Sequence, residues 1–282
     1  MSLRSDAVWF ITGCSTGFGR SLARQVLDQG YRVVVTARDL AQIQDLVTAY
    51  PNHALPLKLD VTKAEDISAT IAAAEQAFGG IDVLVNNAGI GYLGAVEECD
   101  EQAVRSMFEI NFWGLANMTR AALPGMRNKR SGFIVNISSV GGVRGGPSAG
   151  YYNASKFAVE GLSEALVKEV APLGIKVILI EPSGFRTDWA GRSASEAALH
   201  IDDYAATAGT RRRQIREMSG KQPGDPERAA AAIIKAVTAE NPPFRLLLGN
   251  VALSAGLEKA AELTREFEAW ATVSKNADFP AA

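Results

Sequence analysis

Two cysteines, two histidines and a formal net charge of -2 in 282 residues leave several kinds of chemistry with little to work on. Cys14 and Cys99 are spaced neither as a metal pair nor as a disulfide framework, which fits a reducing compartment. With only His53 and His200 beside them, a zinc site has too few ligands. Near-zero charge supplies no basic field for nucleic acid. Long apolar runs are missing as well. "AVWFI" near the start is far below the length of a signal-peptide core or a membrane span. These absences point to a cytoplasmic protein with a small-molecule partner, no nucleic acid, no membrane span and no metal.

What is present is a rhythm. Seven short apolar, β-branched runs occur: "AVWFIT" (7–12), "YRVVVTA" (31–37), "ALPLKL" (54–59), "IDVLVN" (81–86), "GFIVNIS" (132–138), "IKVILIE" (175–181) and "FRLLLG" (244–249). Each of the first six precedes a segment that can be helical. Near-continuous apolar strands separated by helices predict a parallel sheet covered on both faces. The expected fold is therefore α/β: one doubly wound domain over residues 1–282, with its ligand crevice beyond the carboxyl ends of the strands. Capping-box spacings at Asp39/Gln42 and Thr62/Glu65, and Pro226 behind Asp225, mark helix starts. The rhythm breaks at 188–223, a long insertion before the last strand and the place for a substrate lid. Its basic run Arg211 to Arg213 reads as the solvated face of a helix, and "FEAWATVS" (267–274) as ordinary helix packing.

"TGCSTGFG" (12–19) follows the first strand and opens a helix. Glycines here permit a tight turn and let backbone N–H groups and a helix N-terminus approach a pyrophosphate. The spacing is Gly13, Gly17, Gly19, with Ser15, Thr16 and Phe18 between. At the end of the second strand, where NAD-binding chains carry an acid for the ribose, stands "TARD" (36–39). Arg38 can grip a 2′-phosphate through charge-assisted bonds, and Asp39 is accounted for as a cap. One or two such bonds at about 1.5–3 kcal/mol each favour NADP by roughly tenfold or more. NADP(H) is thus expected before NAD(H).

Further segments follow in order: "NNAG" (86–89), Asn111 in "EINFWG", "NISSVGG" (136–142), "YNASK" (152–156) and "EPSGFRT" (181–187). Together with the glycine turn, this series resembles the short-chain dehydrogenase/reductase family, and the "TAR" and "EPSGFRT" runs resemble its hydroxysteroid and retinol dehydrogenase branch. Ser183 departs from the family's usual glycine. The resemblance implies a catalytic set of Asn111, Ser139, Tyr152 and Lys156. Tyr151 is passed over because only Tyr152 has a lysine four residues on, and Ser139 is chosen over Ser138 by its distance from Tyr152. It also implies that Asp60 and Val61 bind adenine, that Asn87, Ala88 and Gly89 support the cofactor, and that Pro182, Gly184 and Thr187 lie by the nicotinamide. The implied reaction is hydride transfer to a ketone or from a secondary alcohol, here of lipophilic type. Tyr152 would act as acid or base, Ser139 would hold the substrate oxygen, and Asn111 would hold a water. Lys156 would lower the Tyr152 pKa and bind the nicotinamide ribose.

A free tyrosine is about one part in a thousand phenolate at neutral pH. A cation about 4 Å away stabilises it by about 1 kcal/mol in water but about 4 at an effective dielectric of 20, and only the latter moves the pKa by roughly three units. The site must then be shielded, as beneath a lid. A non-catalytic dinucleotide sensor is the competing reading, but such relatives are expected to lose the tyrosine or lysine, and both are here. Trp113 and Trp189 could line a substrate pocket or simply pack. The resemblance further suggests a homodimer or homotetramer built on helices at about 101–128 and 152–171.

Overall fold

The computed structural model describes residues 3–279. All seven expected strands form one parallel sheet: β1 (Val8–Ile11), β2 (Arg32–Ala37), β3 (Ala54–Lys58), β4 (Val83–Asn86), β6 (Gly132–Ile137), β7 (Ile175–Pro182) and β9 (Arg245–Leu248), in the order β3-β2-β1-β4-β6-β7-β9. Two short strands missed in the sequence, β5 (Gly91–Leu93) and β8 (Ala194–Glu196), pair in parallel beyond the main sheet. They escape a periodicity reading because three residues are too few to show a period.

Alternation within the strands divides the core. Trp9 and Ile11 of β1 turn to one face, where α1 (Gly17–Asp28), α2 (Gln44–Ala49) and α8 (Pro226–Thr238) pack. Val8 and Phe10 turn to the other, against α3 (Ala64–Phe78), α5 (Leu115–Lys129) and α6 (Gly150–Val170). A strand buried on both faces must be apolar throughout, which is why "VWFI" carries no polar residue. The chain leaves β1 toward β2 on one side and β4 on the other, so a crevice opens above the carboxyl end of β1.

The helix after β4 is not continuous. α4 (Glu101–Phe108) passes into α5 through a π-helical turn, Glu109–Gly114, which carries Asn111. Asp39 accepts from the Ala41 N–H and Asp225 from the Glu227 N–H, as their sequence positions suggest. The Thr62 cap does not form: its hydroxyl and N–H both donate to Asp60, so helix α3 starts later, at Ala64.

The 188–223 segment is structured, with β8, a second π-helical turn and α7 (Thr210–Glu217). Arg212 overturns the expectation of a solvated basic run. It is buried and ion-paired with Glu98 at 3.1 Å, while Arg213 stays exposed. The reason is local: Glu98 is itself buried behind β5 and needs a cation. The expectation of packing at 267–274 also fails. α9 (Asn250–Ala269) buries Ala252 and sets Gly256 on Leu247, then runs past the end of β9, leaving Phe267 and Trp270 two-thirds exposed before α10 (Ala271–Lys275).

Candidate active site

Above the carboxyl ends of the strands lies one cavity of about 890 Å³. Every residue named above for the site lines it except Gly19 and Asn111.

At one end, the glycine turn does what its composition suggests. Gly13 and Gly17 adopt positive φ (72° and 59°), and a Cβ on Gly19 would come within 2.3 Å of the Gly13 carbonyl oxygen. Gly19 thus serves the turn from behind. No side chain caps the first turn of α1, so its N–H groups are left for a ligand. Thr12, unremarked in the sequence, ties this turn to the next strand. Its hydroxyl accepts from the N–H groups of Asn87 and Ala88, while the Asn87 amide donates to the carbonyls of Thr12 and Gly13. Asn87 therefore supports the turn from β4. Arg38 stands exposed at the rim, near Asp60, and makes no ion pair among the described residues. Asp39 is occupied by its cap, and Arg38 faces this end beside the Asp60 carboxylate, which accepts from Thr62.

At the other end, Ser139, Tyr152 and Lys156 converge. Ser139 leaves β6 and accepts from the Gly141 N–H at 3.0 Å. Tyr152 and Lys156 share one face of α6, both buried, with the Lys156 Nζ 6.0 Å from the tyrosine ring centroid. Burial pushes the Tyr152 pKa up to about 12, only partly offset by Ser139, and lowers Lys156 to about 8 despite the charge of Glu160. The shield required by the electrostatic argument acts on the phenol as well, and the ammonium donates to the Ile137 carbonyl (2.8 Å) instead of to Tyr152.

Asn111 lies behind the cavity. Its amide clasps Ile90, accepting from its N–H (2.8 Å) and donating to its carbonyl (2.9 Å), with a further bond to Ser155 at 3.1 Å. The π-helical turn directs this side chain sideways onto the loop after β4. A Cβ on Gly89 would sit 3.3 Å from Asn111 Oδ1 and 3.7 Å from Lys156 Nζ, so the loop passes close to both. A buried ladder also missed in the sequence runs beneath: Asn86 donates to Thr119 and Asn136, and Asn136 to Ser163. Nothing in residue spacing singles these out, because buried amides look like turn formers in a sequence.

The loop after β7 brings Pro182, Gly184 and Thr187 to the cavity. Ser183 is accommodated because its hydroxyl donates to the Leu248 carbonyl and ties β7 to β9. Trp189 covers Tyr152 with ring centroids 5.0 Å apart, and Ala190, Ile215 and Met218 continue an apolar wall with Ile90, Val140 and Pro147. Trp113 stands elsewhere, half-exposed and edge-on to Phe112.

Comparison with known proteins agrees with this geometry. A profile described as short chain dehydrogenase matches residues 7–198. A 3-ketodihydrosphingosine reductase of Bacteroides thetaiotaomicron is 41% identical over 244 residues, covering 85% of this chain and 86% of that protein. Human retinol dehydrogenase 8 is 36% identical over 197 residues, covering 67% and 62%. Among solved structures, a short-chain dehydrogenase from Streptomyces avermitilis superposes with a TM-score of 0.91 at 42% identity, covering 97% of this chain and all of that one. One from Burkholderia phymatum, in complex with NAD, gives 0.79 at 26% identity, covering 98% of both. ElxO with NADP bound gives 0.73 at 26%, covering 88% and 99%. With the parallel sheet, the glycine turn and the Ser-Tyr-Lys cluster in place, the chain belongs to the short-chain dehydrogenase family of nicotinamide-dependent oxidoreductases.

Proposed function

We propose that this oxidoreductase works between NADP(H), in preference to NAD(H), and a ketone or secondary alcohol with a lipophilic body. The observation that carries the reading is that one cavity has two unlike ends. One joins an uncapped helix N-terminus to an unpaired Arg38, and the other gathers Ser139, Tyr152 and Lys156 beneath an apolar wall. The residues fit a dinucleotide. The cradle at Gly13, Gly17 and Gly19 has no room for side chains, and its donors suit a pyrophosphate. Arg38 would hold the 2′-phosphate, Asp60 and Val61 the adenine side, and Asn87 to Gly89, Pro182, Gly184 and Thr187 the nicotinamide side, with Lys156 on the ribose. Bound there, the dinucleotide supplies the carbon that gives or takes the hydride.

The remaining work falls to the chain. Tyr152, kept protonated by burial at neutral pH, donates its proton to a carbonyl oxygen as that oxygen gains charge. Ser139 donates a hydrogen bond to the same oxygen, and Lys156 stabilises the phenolate left behind. Asn111 acts as a positioning residue for the Ile90 loop, and a water relay through it is part of the same reading. The 188–223 segment serves as the lid, with Trp189, Ile215 and Met218 turned to the substrate. The names of the two relatives, a 3-ketodihydrosphingosine reductase and a retinol dehydrogenase, support a lipophilic substrate. Half-exposed Trp113 and Phe157 support a homodimer or homotetramer on the α4–α6 side, and unpaired Cys14 and Cys99 support a cytoplasmic setting.

The test is a fluorescence titration with NADPH and NADH, repeated on Arg38→Ala, followed by NADPH oxidation with ketones of increasing chain length. Tighter NADPH binding, lost by tenfold or more in the variant, and kcat/KM rising with chain length are expected. Equal loss for both nucleotides would remove the NADP preference. Turnover retained by Tyr152→Phe would remove the role of Tyr152.

A further inference from the structure

Behind the reactive residues, three carboxylates surround one guanidinium. Arg245 of β9 lies 3.2 Å from Glu160 Oε2 and 2.7 Å from Glu164 Oε1 through Nη2, and 3.2 Å from Glu181 Oε1 through Nε. Glu164 is half-exposed and solvated, but Glu160 is nearly buried and Glu181 wholly so. Neither Glu181 oxygen accepts an aligned hydrogen bond, and Glu160 Oε1 is likewise unpartnered. Two buried carboxylates sharing one cation cannot both stay ionised cheaply, so burial favours a proton on one of them.

Their position ties them to the chemistry. Glu160 follows Lys156 by one turn of α6, and its charge acts to keep that lysine protonated. Glu181 follows Ile180, which pairs with Ile137 and accepts from the Ser138 N–H at 2.8 Å. A Cβ on Gly142 would meet Ser138 Oγ at 2.6 Å and Glu160 Cγ at 3.1 Å, so the turn that carries Ser139 rests on Glu160. The charged groups facing the pair are thus Lys156 and Glu164 from α6 and Arg245 from β9, with Ser138 from the end of β6.

We propose that Glu160 and Glu181 form a proton-sharing carboxyl pair that positions this site: Glu160 is the anion that keeps Lys156 an ammonium, and together they form the floor of the Ser138–Ser139 turn. The catalytic half of this rests on the reading of Lys156 as the cation beside Tyr152. The proton-sharing half does not.

Burial, then the charge of Glu160, hold Glu181 at about 7 against an ordinary value near 4.5. The folded state therefore keeps a proton that the unfolded chain has already lost, and stability falls as pH rises between these values and levels off above them. Melting temperature is measured from pH 5 to 8 for the wild type, Glu181→Gln and Glu160→Gln. The wild type should lose stability across that range, whereas Glu181→Gln, shaped like the protonated acid, should show a flattened slope and melt higher at pH 8. In kcat/KM profiles, the alkaline limb of Glu160→Gln should move down by about one pH unit as Lys156 loses its anion, with that of Glu181→Gln unmoved. A wild-type slope retained in Glu181→Gln, or an unmoved limb in Glu160→Gln, overturns the pair. Should the variants fail to fold, infrared spectra of the wild type decide: a protonated-carboxyl band at pH 6 that vanishes by pH 9 is required, and its absence refutes proton sharing. Because melting and infrared need no turnover, they stand apart from the Tyr152→Phe test of the reaction itself.

Discussion

The Glu98–Arg212 pair should govern both the stability of the protein and the closure of its substrate end. Arg212→Met keeps the aliphatic bulk and removes the charge. The two side chains are 2% and 9% exposed, so the pair counts as buried, and stranding one partner of such a pair costs about 3–5 kcal/mol. Glu98 would not be left bare. It still accepts from the N–H groups of Ala95 and Ile201, both at 2.9 Å. Those bonds soften the loss to about 2–3 kcal/mol, a fall of roughly 5 °C in melting temperature for a chain of this length. Activity should respond through the lid. Arg212 and Arg216 both hold Glu196 of β8, and Arg216 also clamps the carbonyls of Ala190, Gly191 and Ala194 just after Trp189. KM should therefore rise more than kcat falls. The loss should also depend on pH. Burial raises the Glu98 pKa, but the Ile201 and Ala95 N–H groups and Arg212 outweigh it and hold the carboxyl below its usual value. The pair's contribution is thus fully present above about pH 4.5 and fades as pH falls through the folded-state value. Urea unfolding at several pH values and steady-state kinetics test this. A variant within about 0.5 kcal/mol of wild type, or a difference constant between about pH 4 and pH 7, would refute the reasoning.

Gly19→Ala should weaken dinucleotide binding by tenfold or more in the same titration and destabilise the fold by about 1–3 kcal/mol, because the new methyl meets the Gly13 carbonyl and the Asn87 amide at 2.3 and 2.4 Å. Asn136→Ala should cost about 2–4 kcal/mol in urea unfolding, since it leaves the Asn86 amide and Ser163 hydroxyl without their shared partner. Native protein treated with iodoacetamide at pH 8 should keep Cys14 unmodified, its thiol being pushed up to about 12 by burial; mass spectrometry of the peptides would show otherwise at once.

How far the sequence disclosed all this follows from the range of the interactions involved. The seven strands were legible because burial on both faces demands unbroken apolar runs, and a run is a local signal. The glycine turn was legible for the same reason, as a string of residues whose constraint lies in their own backbone. Tyr152, Lys156 and Ser139 needed the family resemblance, because no spacing within one segment tells which serine after β6 meets which tyrosine of α6. Arg212 shows the limit plainly. Read locally, three arginines in a row belong in water, and two of them do face it. The third is drawn inward by a glutamate 114 positions earlier. The Tyr152 pKa lies outside a local reading for the same reason. Helical spacing gave the distance between phenol and ammonium, but the titration is decided by how much water the rest of the fold removes from both, and the same burial that would strengthen their attraction opposes either charge. Function at such a site depends on a balance between desolvation and pairing. That balance is set by residues such as Glu160, Glu181 and Arg245, gathered from a helix and two strands, and no single stretch of the chain displays it.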